Sequence, residues 1–147
     1  KEALKGAIDL GIAMQLTNIA RDVNEDKKHQ RQYIKPDFHS IKKTINDSEV
    51  FYQKSFNSIS CIPIRSRFSV LVARRVYRKI GDCILKQKNL ENYNKAGKIY
   101  VPIFGKLIET FLSVFDFIKL LFLKKINHDN QINHSILEEE INLNERV

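Results

Sequence analysis

The chain has 147 residues, 43% of them hydrophobic, which is enough for a compact domain, or part of a larger one, with a real core. Its net charge of +8 suits nucleic acid, an anionic membrane surface or small anionic substrates, and does not choose among them. The two cysteines, Cys61 and Cys83, form no CxxC pair and have no histidine cluster beside them, which argues against a disulfide framework or a zinc site. They fit buried thiols of a reducing compartment, hence a cytoplasmic protein.

The chain opens at Lys1 without a start methionine and enters an apolar helical pattern within a few residues, with no cap, linker or signal-peptide layout. That reads as a cut through a longer chain. Helical periodicity then dominates, with no Asn-Gly or Asp-Gly hairpin signal and no long alternating run, so the expectation is all-α.

The first helix is expected from about Glu2 to Lys28, with a loop around Tyr33 to Ser40 that contains Pro36. A second should start near Asn46, where Asn46 and Glu49 have capping-box spacing, and end before Pro63. The third runs from about Ser66 to Gln87, with Ala73, Val76, Tyr77, Ile80 and Ile84 as its apolar stripe and Arg75, Arg78 and Lys79 pointing the other way. A polar connection from Lys88 to Lys98 leads to Pro102, placed as the first residue of a fourth helix that continues to about Lys125.

Residues 1–126 therefore form the helical domain. Residues 127–147, rich in Asn, Glu and His, read as a frayed polar tail with at most a turn of helix at Ser135 to Ile141. The apolar stretch Leu107 to Leu123 is interrupted by Glu109, Asp116 and Lys119, whereas a spanning helix wants about 20 mainly apolar residues. Burial in the bundle is the first reading for it. Peripheral contact with a membrane surface is the second, since the stretch is rich in Phe and Leu and leads to Lys124 and Lys125.

The chemistry is concentrated between Leu10 and Tyr33. At about 100° per residue, Gln15, Asn18, Asp22 and Asp26 fall within an arc of roughly 80° on one side of the first helix. Two aspartates four apart oppose the helix by about 0.2 to 0.5 kcal/mol. A bound cation reverses that sign, and magnesium bridges one or two carboxylates to substrate phosphates. Asn18 and Asp26 lie about 12 Å apart along the axis, so a single ion does not take all three.

Asn18 and Asp22 pair on one metal; Asp26 takes a second, or an outer contact through water. Gln15, one turn further in, suits hydrogen bonding to substrate, and Gly11 leaves room for an alkyl chain. Arg21, with Arg31 and Tyr33 just past the helix, supplies donors for a diphosphate. An isolated DxxxD pair is more often an ordinary solvated face.

The full run of Leu10-Gly11, Gln15, Asn18, Arg21-Asp22, Asp26 and then Arg31-x-Tyr33 resembles the second aspartate-rich signature of the squalene and phytoene synthases. The resemblance implies the isoprenoid synthase helical bundle, of which this chain would be the C-terminal half. It implies Asn18, Asp22 and Asp26 as metal ligands, with Asp22 and Asp26 the acids of the catalytic centre. Gln15, Arg21, Arg31 and Tyr33 would be substrate contacts. A weaker likeness from Phe51 to Lys86, through Pro63, Arg67, Ala73 and Tyr77, adds Tyr77 as a substrate contact, against its plain reading as a core aromatic.

The implied cofactor is Mg2+, with Mn2+ as its substitute, and no dinucleotide fingerprint for NAD(P)H is present. The implied substrate is a prenyl diphosphate, and the implied reaction is head-to-head condensation to phytoene, with squalene or hydroxysqualene as alternatives. The family places proline two residues after the aromatic, whereas Pro36 stands three after Tyr33, so the loop is one residue longer. The first aspartate-rich motif, expected in a missing N-terminal half of the same protein, does not occur in the chain, which alone should therefore not turn over substrate.

A noncatalytic scaffold of the same fold stays open as a rival. A basic nucleic-acid module built on Arg65, Arg67, Arg74, Arg75, Arg78 and Lys79 is not expected, because no helix-turn-helix spacing accompanies those charges.

Overall fold

The computed structural model describes residues 2–122, and among them it is helical with no strand. The helices are α1 (Glu2–Arg21), α2 (Val23–Lys28), α3 (Phe38–Ser58), α4 (Ile64–Leu85), α5 (Leu90–Ala96) and α6 (Ile103–Phe122), with a 3-10 turn at Ile59–Cys61. The expected polar tail lies outside the described residues.

α1 packs along α3 and against α4, and α6 docks on the far side of α4. The face that α1 buries is made of small residues, Gly6, Ala13, Thr17 and Ala20, together with Asp9. Small side chains let two helix backbones approach closely. A Cβ built on Gly6 would lie 2.2 Å from Cβ of Ser58, and the Thr17 hydroxyl pairs with that of Tyr52 on α3 at 3.0 Å. Leu10, Ile12, Leu16 and Ile19, the large apolar residues of α1, are half-buried on its flanks. The polar stripe thus lies opposite the packed face rather than buried within it.

The expected first helix is two helices. The chain bends at Asp22, whose φ and ψ of −104° and 15° stand outside a regular turn. The second helix begins eight residues before the expected start, because Asp37 rather than Asn46 caps it. The Asp37 side chain accepts from the Ser40 backbone N–H at 2.7 Å and from the Ser40 hydroxyl at 2.9 Å. Phe38, Ile41 and Ile45 then face the core at helical spacing. Asn46 sits exposed mid-helix, and Glu49 reaches Arg78 instead of a cap.

The third helix and its stripe are where the periodicity puts them, with Ile80 and Ile84 buried and Val76 and Tyr77 packed against the same cluster. Arg74 is the exception among the basic residues of α4. It is buried, and its Nε and Nη2 both donate to the Tyr52 carbonyl, at 3.0 and 2.7 Å. Pro102 precedes the last helix rather than opening it, its carbonyl accepting from the Lys106 N–H at 3.0 Å.

α6 is oriented against its hydropathy. Its inward face carries Glu109, Ser113 and Leu120, while Phe104, Leu107, Phe111, Phe115 and Phe122 are all exposed. Arg75 of α4 sets that orientation, its Nε donating to Asp116 at 2.6 Å and its Nη1 to Glu109 at 3.1 Å. Burial in the bundle, the first reading for this helix, is therefore not met within the described residues. An exposed apolar array of this extent marks an interaction surface. Among the described residues no helix is long and apolar enough to cross a membrane.

Candidate functional site

The outward stripe of α1 runs through Gly11, Gln15, Asn18 and Asp22. Gln15 is exposed, and the side-chain oxygen of Asn18 is buried with no hydrogen-bond partner. A buried acceptor left unmatched costs about 1 to 3 kcal/mol, so its retention calls for a donor or a cation brought from outside.

One turn on, Asp22 is gripped by its neighbour Arg21. Nε of Arg21 donates to Oδ1 at 2.8 Å and Nη2 to Oδ2 at 2.6 Å. That bond to Asp22 is the main reason the Arg21 guanidinium holds its proton above its ordinary pKa; burial opposes it, and the nearby Tyr77 and Tyr100 add to the rise. Lys98, from the loop after α5, stands 4.0 Å from Oδ1 of Asp22 and 2.8 Å from Glu25. The bond to Glu25, ahead of the charge of Asp22, raises its pKa. Arg21, Asp22, Glu25, Lys27, His29 and Lys98 border an open cleft of about 790 Å³.

The structure thus gathers Arg21, Asp22, Glu25 and Lys98, with Asn18 one turn away; Tyr77 packs against the core cluster and does not border the cleft. It does not bring Asp26 to them. Beyond the bend, Asp26 borders a separate small pocket with Arg31, Tyr33 and Pro36, which is the neighbourhood of the longer loop. Asp22 and Asp26 thus border different pockets. Arg31 is exposed, as is Tyr33 at 59%, and the Arg31 N–H donates to the Asp26 carbonyl at 2.9 Å.

Toward the start of α1, Ala3, Gly6, Leu10, Gly11, Met14 and Val70 border an apolar groove of about 280 Å³. It lies beside the polar stripe and meets it at Gly11.

Among the described residues no group of three His, Cys, Asp or Glu converges as a ready metal cage. The donor set nonetheless fits a hard ion that takes one carboxylate, one amide oxygen and phosphate oxygens, as magnesium does. The unmatched Asn18 oxygen beside Asp22 is the observation that favours it.

Three contributors escaped the sequence reading: Tyr93, Lys98 and Glu25. All depend on α5, a seven-residue helix inside what reads as a polar connection, capped by Asn89 accepting from the Asn92 N–H at 2.8 Å. Tyr93 is a lone aromatic there, and that was its only available signal.

Residues 1–38 match the Squalene/phytoene synthase family. The 15-cis-phytoene synthase of Enterobacter agglomerans is 31% identical over 99 residues, which cover 53% of this chain and 34% of that protein. The 15-cis-phytoene synthase of Paracoccus sp. is 33% identical over 101 residues, 56% of this chain and 33% of the relative. Phytoene synthase 1, chloroplastic, of Solanum lycopersicum is 32% identical over 123 residues, 69% of this chain and 29% of the relative. No solved structure matches the chain. The match over residues 1–38, the similar phytoene synthases and the all-α architecture support membership of the squalene/phytoene synthase family. It spans about a third of the length of these curated relatives.

Proposed function

We propose that the chain supplies the C-terminal, diphosphate-binding wall of a prenyltransferase of carotenoid or other isoprenoid biosynthesis that condenses two prenyl diphosphates head to head. Phytoene is the favoured product, in line with the names of the similar proteins, with squalene or hydroxysqualene as alternatives. The observation that carries the reading is the unpartnered, buried Asn18 oxygen one helical turn from the Asp22 carboxylate.

Asn18 and Asp22 would hold Mg2+, which, when bound, stabilises negative charge on a departing diphosphate. Arg21 and Lys98 add fixed positive charge at the same cleft and orient the phosphates. Gln15, on the same stripe, hydrogen-bonds the substrate where the polar end gives way to the apolar groove, and Gly11 lets an alkyl chain lie against the helix. Tyr77 packs against the core cluster, in keeping with its plain reading as a core aromatic. Asp26, Arg31 and Tyr33 act from the neighbouring pocket, on a second ion or through water.

The site is open because it is half of one. The remaining portion of the same protein covers the stripe of α1 and the outer face of α6, a role supported by the greater length of the relatives. The 147-residue chain alone is expected to bind without turnover.

The test is binding of a nonhydrolysable prenyl diphosphate analogue to the full-length protein with and without Mg2+, in wild type, Asn18→Ala and Asp22→Asn. Magnesium-dependent binding that both substitutions abolish is the expected result. Equal binding with and without magnesium would remove the metal assignment, and no binding at all would favour a noncatalytic scaffold of this fold.

A further inference from the structure

α5 and the loop after it reach the bend between α1 and α2 with three contacts. The Tyr93 hydroxyl, on a side chain only 1% exposed, lies 2.9 Å from the Ala20 carbonyl and 2.7 Å from the Arg21 carbonyl, its proton shared between them. Asn94 accepts from the Asn24 side-chain amide at 3.0 Å, and Lys98 pairs with Glu25 at 2.8 Å.

On either side of these contacts the helix ladder persists, the Asp22 N–H donating to the Asn18 carbonyl at 2.9 Å and the Asp26 N–H to the Asp22 carbonyl at 2.8 Å. The hydroxyl therefore sits within the ladder at the bend. Insertion of a polar group there is a recognised cause of a sharp kink. Here the inserted group belongs to another helix, so the bend is imposed from outside and not by local sequence.

We propose that Tyr93 is a positioning residue for the Asn18–Asp22 pair: its inserted hydroxyl holds the bend that keeps Asp22 facing the cleft while turning Asp26 into the neighbouring pocket. The proposal rests on the diphosphate-binding reading above. Without the hydroxyl, the Ala20 and Arg21 carbonyls lose their buried donor, and the cheapest repair is to re-form the regular ladder and straighten the helix. A straight helix would bring Asp26 back toward Asp22 on one stripe. Gly97, at φ 65° and ψ −139°, then directs the chain so that the next residue, Lys98, reaches Glu25 and Asp22. One short helix and the loop that leaves it thus both shape the ligand pair and supply the cation beside it.

The experiment compares wild type, Asn18→Ala, Tyr93→Phe and Asn94→Ala in the full-length protein. Mn2+ binding is read by its paramagnetic resonance spectrum and by titration in the presence of a nonhydrolysable prenyl diphosphate. Tyr93→Phe keeps the buried ring and removes only the hydroxyl. Its affinity for the metal should fall about tenfold, as for other groups that orient ligands without touching the metal. Its spectrum should change while its thermal melt still shows a folded core.

Wild-type affinity and spectrum in Tyr93→Phe would reduce Tyr93 to a packing residue and overturn the proposal. Should that variant fail to fold, Asn94→Ala, which alters only an exposed contact to the same bend, must weaken binding severalfold, and unchanged binding there overturns the proposal equally. Failure of the underlying reading has a different signature, in which wild type and Asn18→Ala bind Mn2+ alike.

Discussion

The Arg21 guanidinium closes on the carboxylate of the adjacent Asp22 through two bonds of 2.8 and 2.6 Å, and Lys98 stands 4.0 Å from the same carboxylate. Before any ligand arrives, the acid proposed to hold a metal is already neutralised by two cations. Metal alone must compete with them, whereas metal arriving with a diphosphate gives both cations a new anion. Lys98→Gln should therefore raise affinity for Mn2+ alone a few-fold and lower affinity for the diphosphate analogue in the presence of metal. Titrations of both ligands read this; movement of the two in the same direction would contradict it.

The docking of α6 depends on Arg75, which meets Asp116 and Glu109 at positions mostly shielded from water. Arg75→Ala leaves both acids facing each other without their shared partner. Loss of about 3 kcal/mol is expected in denaturant titration, in the range for breaking a shielded ion pair by removing one side. A loss below about 0.5 kcal/mol would mean that apolar contacts hold the helix instead.

Two glycines of α1 should behave in opposite ways. Gly6→Ala places a methyl 2.2 Å from the Ser58 Cβ and should cost about 1 to 3 kcal/mol through forced separation of the helices. Around Gly11 nothing lies within 4 Å of a built Cβ, so Gly11→Leu should leave the melt unchanged and yet weaken binding of the prenyl chain. Comparing a long prenyl analogue with inorganic diphosphate separates the groove from the metal pair: only the former should suffer.

Burial pushes the hydroxyls of Tyr52 and Tyr93 up to about 12 from an ordinary 10. Above pH 10 the unfolded chain gives up these protons while the folded one keeps them, so the unfolded state gains with rising pH. The contribution is complete below pH 10 and is lost as pH climbs through 12, with a slope of about 1.4 kcal/mol per pH unit for each tyrosine. Urea titrations across this window should show a shallower decline in the Tyr52→Phe and Tyr93→Phe variants than in wild type.

The exposed outer face of α6 predicts different outcomes for short and long chains. Phe111→Lys with Phe115→Lys should suppress dye binding and self-association of the 147-residue chain without lowering its melt, since both rings are more than half exposed. In the full-length protein the same pair should destabilise under the proposed packing of further chain on this face. If the full-length melt is unchanged and binding to anionic liposomes drops, the face belongs to a membrane surface.

The α-helical character, the third helix and the grouping of Gln15, Asn18 and Asp22 on one side of α1 were legible because each rests on local periodicity, which survives in any context; that this side faces outward was not. The start of α3 was misread because Asn46 and Glu49, three positions apart, have capping-box spacing and imitate the cap that Asp37 makes through Ser40. The orientation of α6 went against hydropathy because Arg75, on another helix, holds its two acids.

By itself the sequence determined which groups the proposed site offers: Asn18 and Asp22 one turn apart on one side of the first helix, with Arg21 beside them. Spacing on one helix suffices for that. Only the tertiary structure decided where the helix bends, which aspartate leaves the cleft and which lysine enters it. Those follow from Tyr93 and Lys98, more than 70 residues from the bend in sequence, and hydrogen bonds between distant segments leave no periodic trace in a chain.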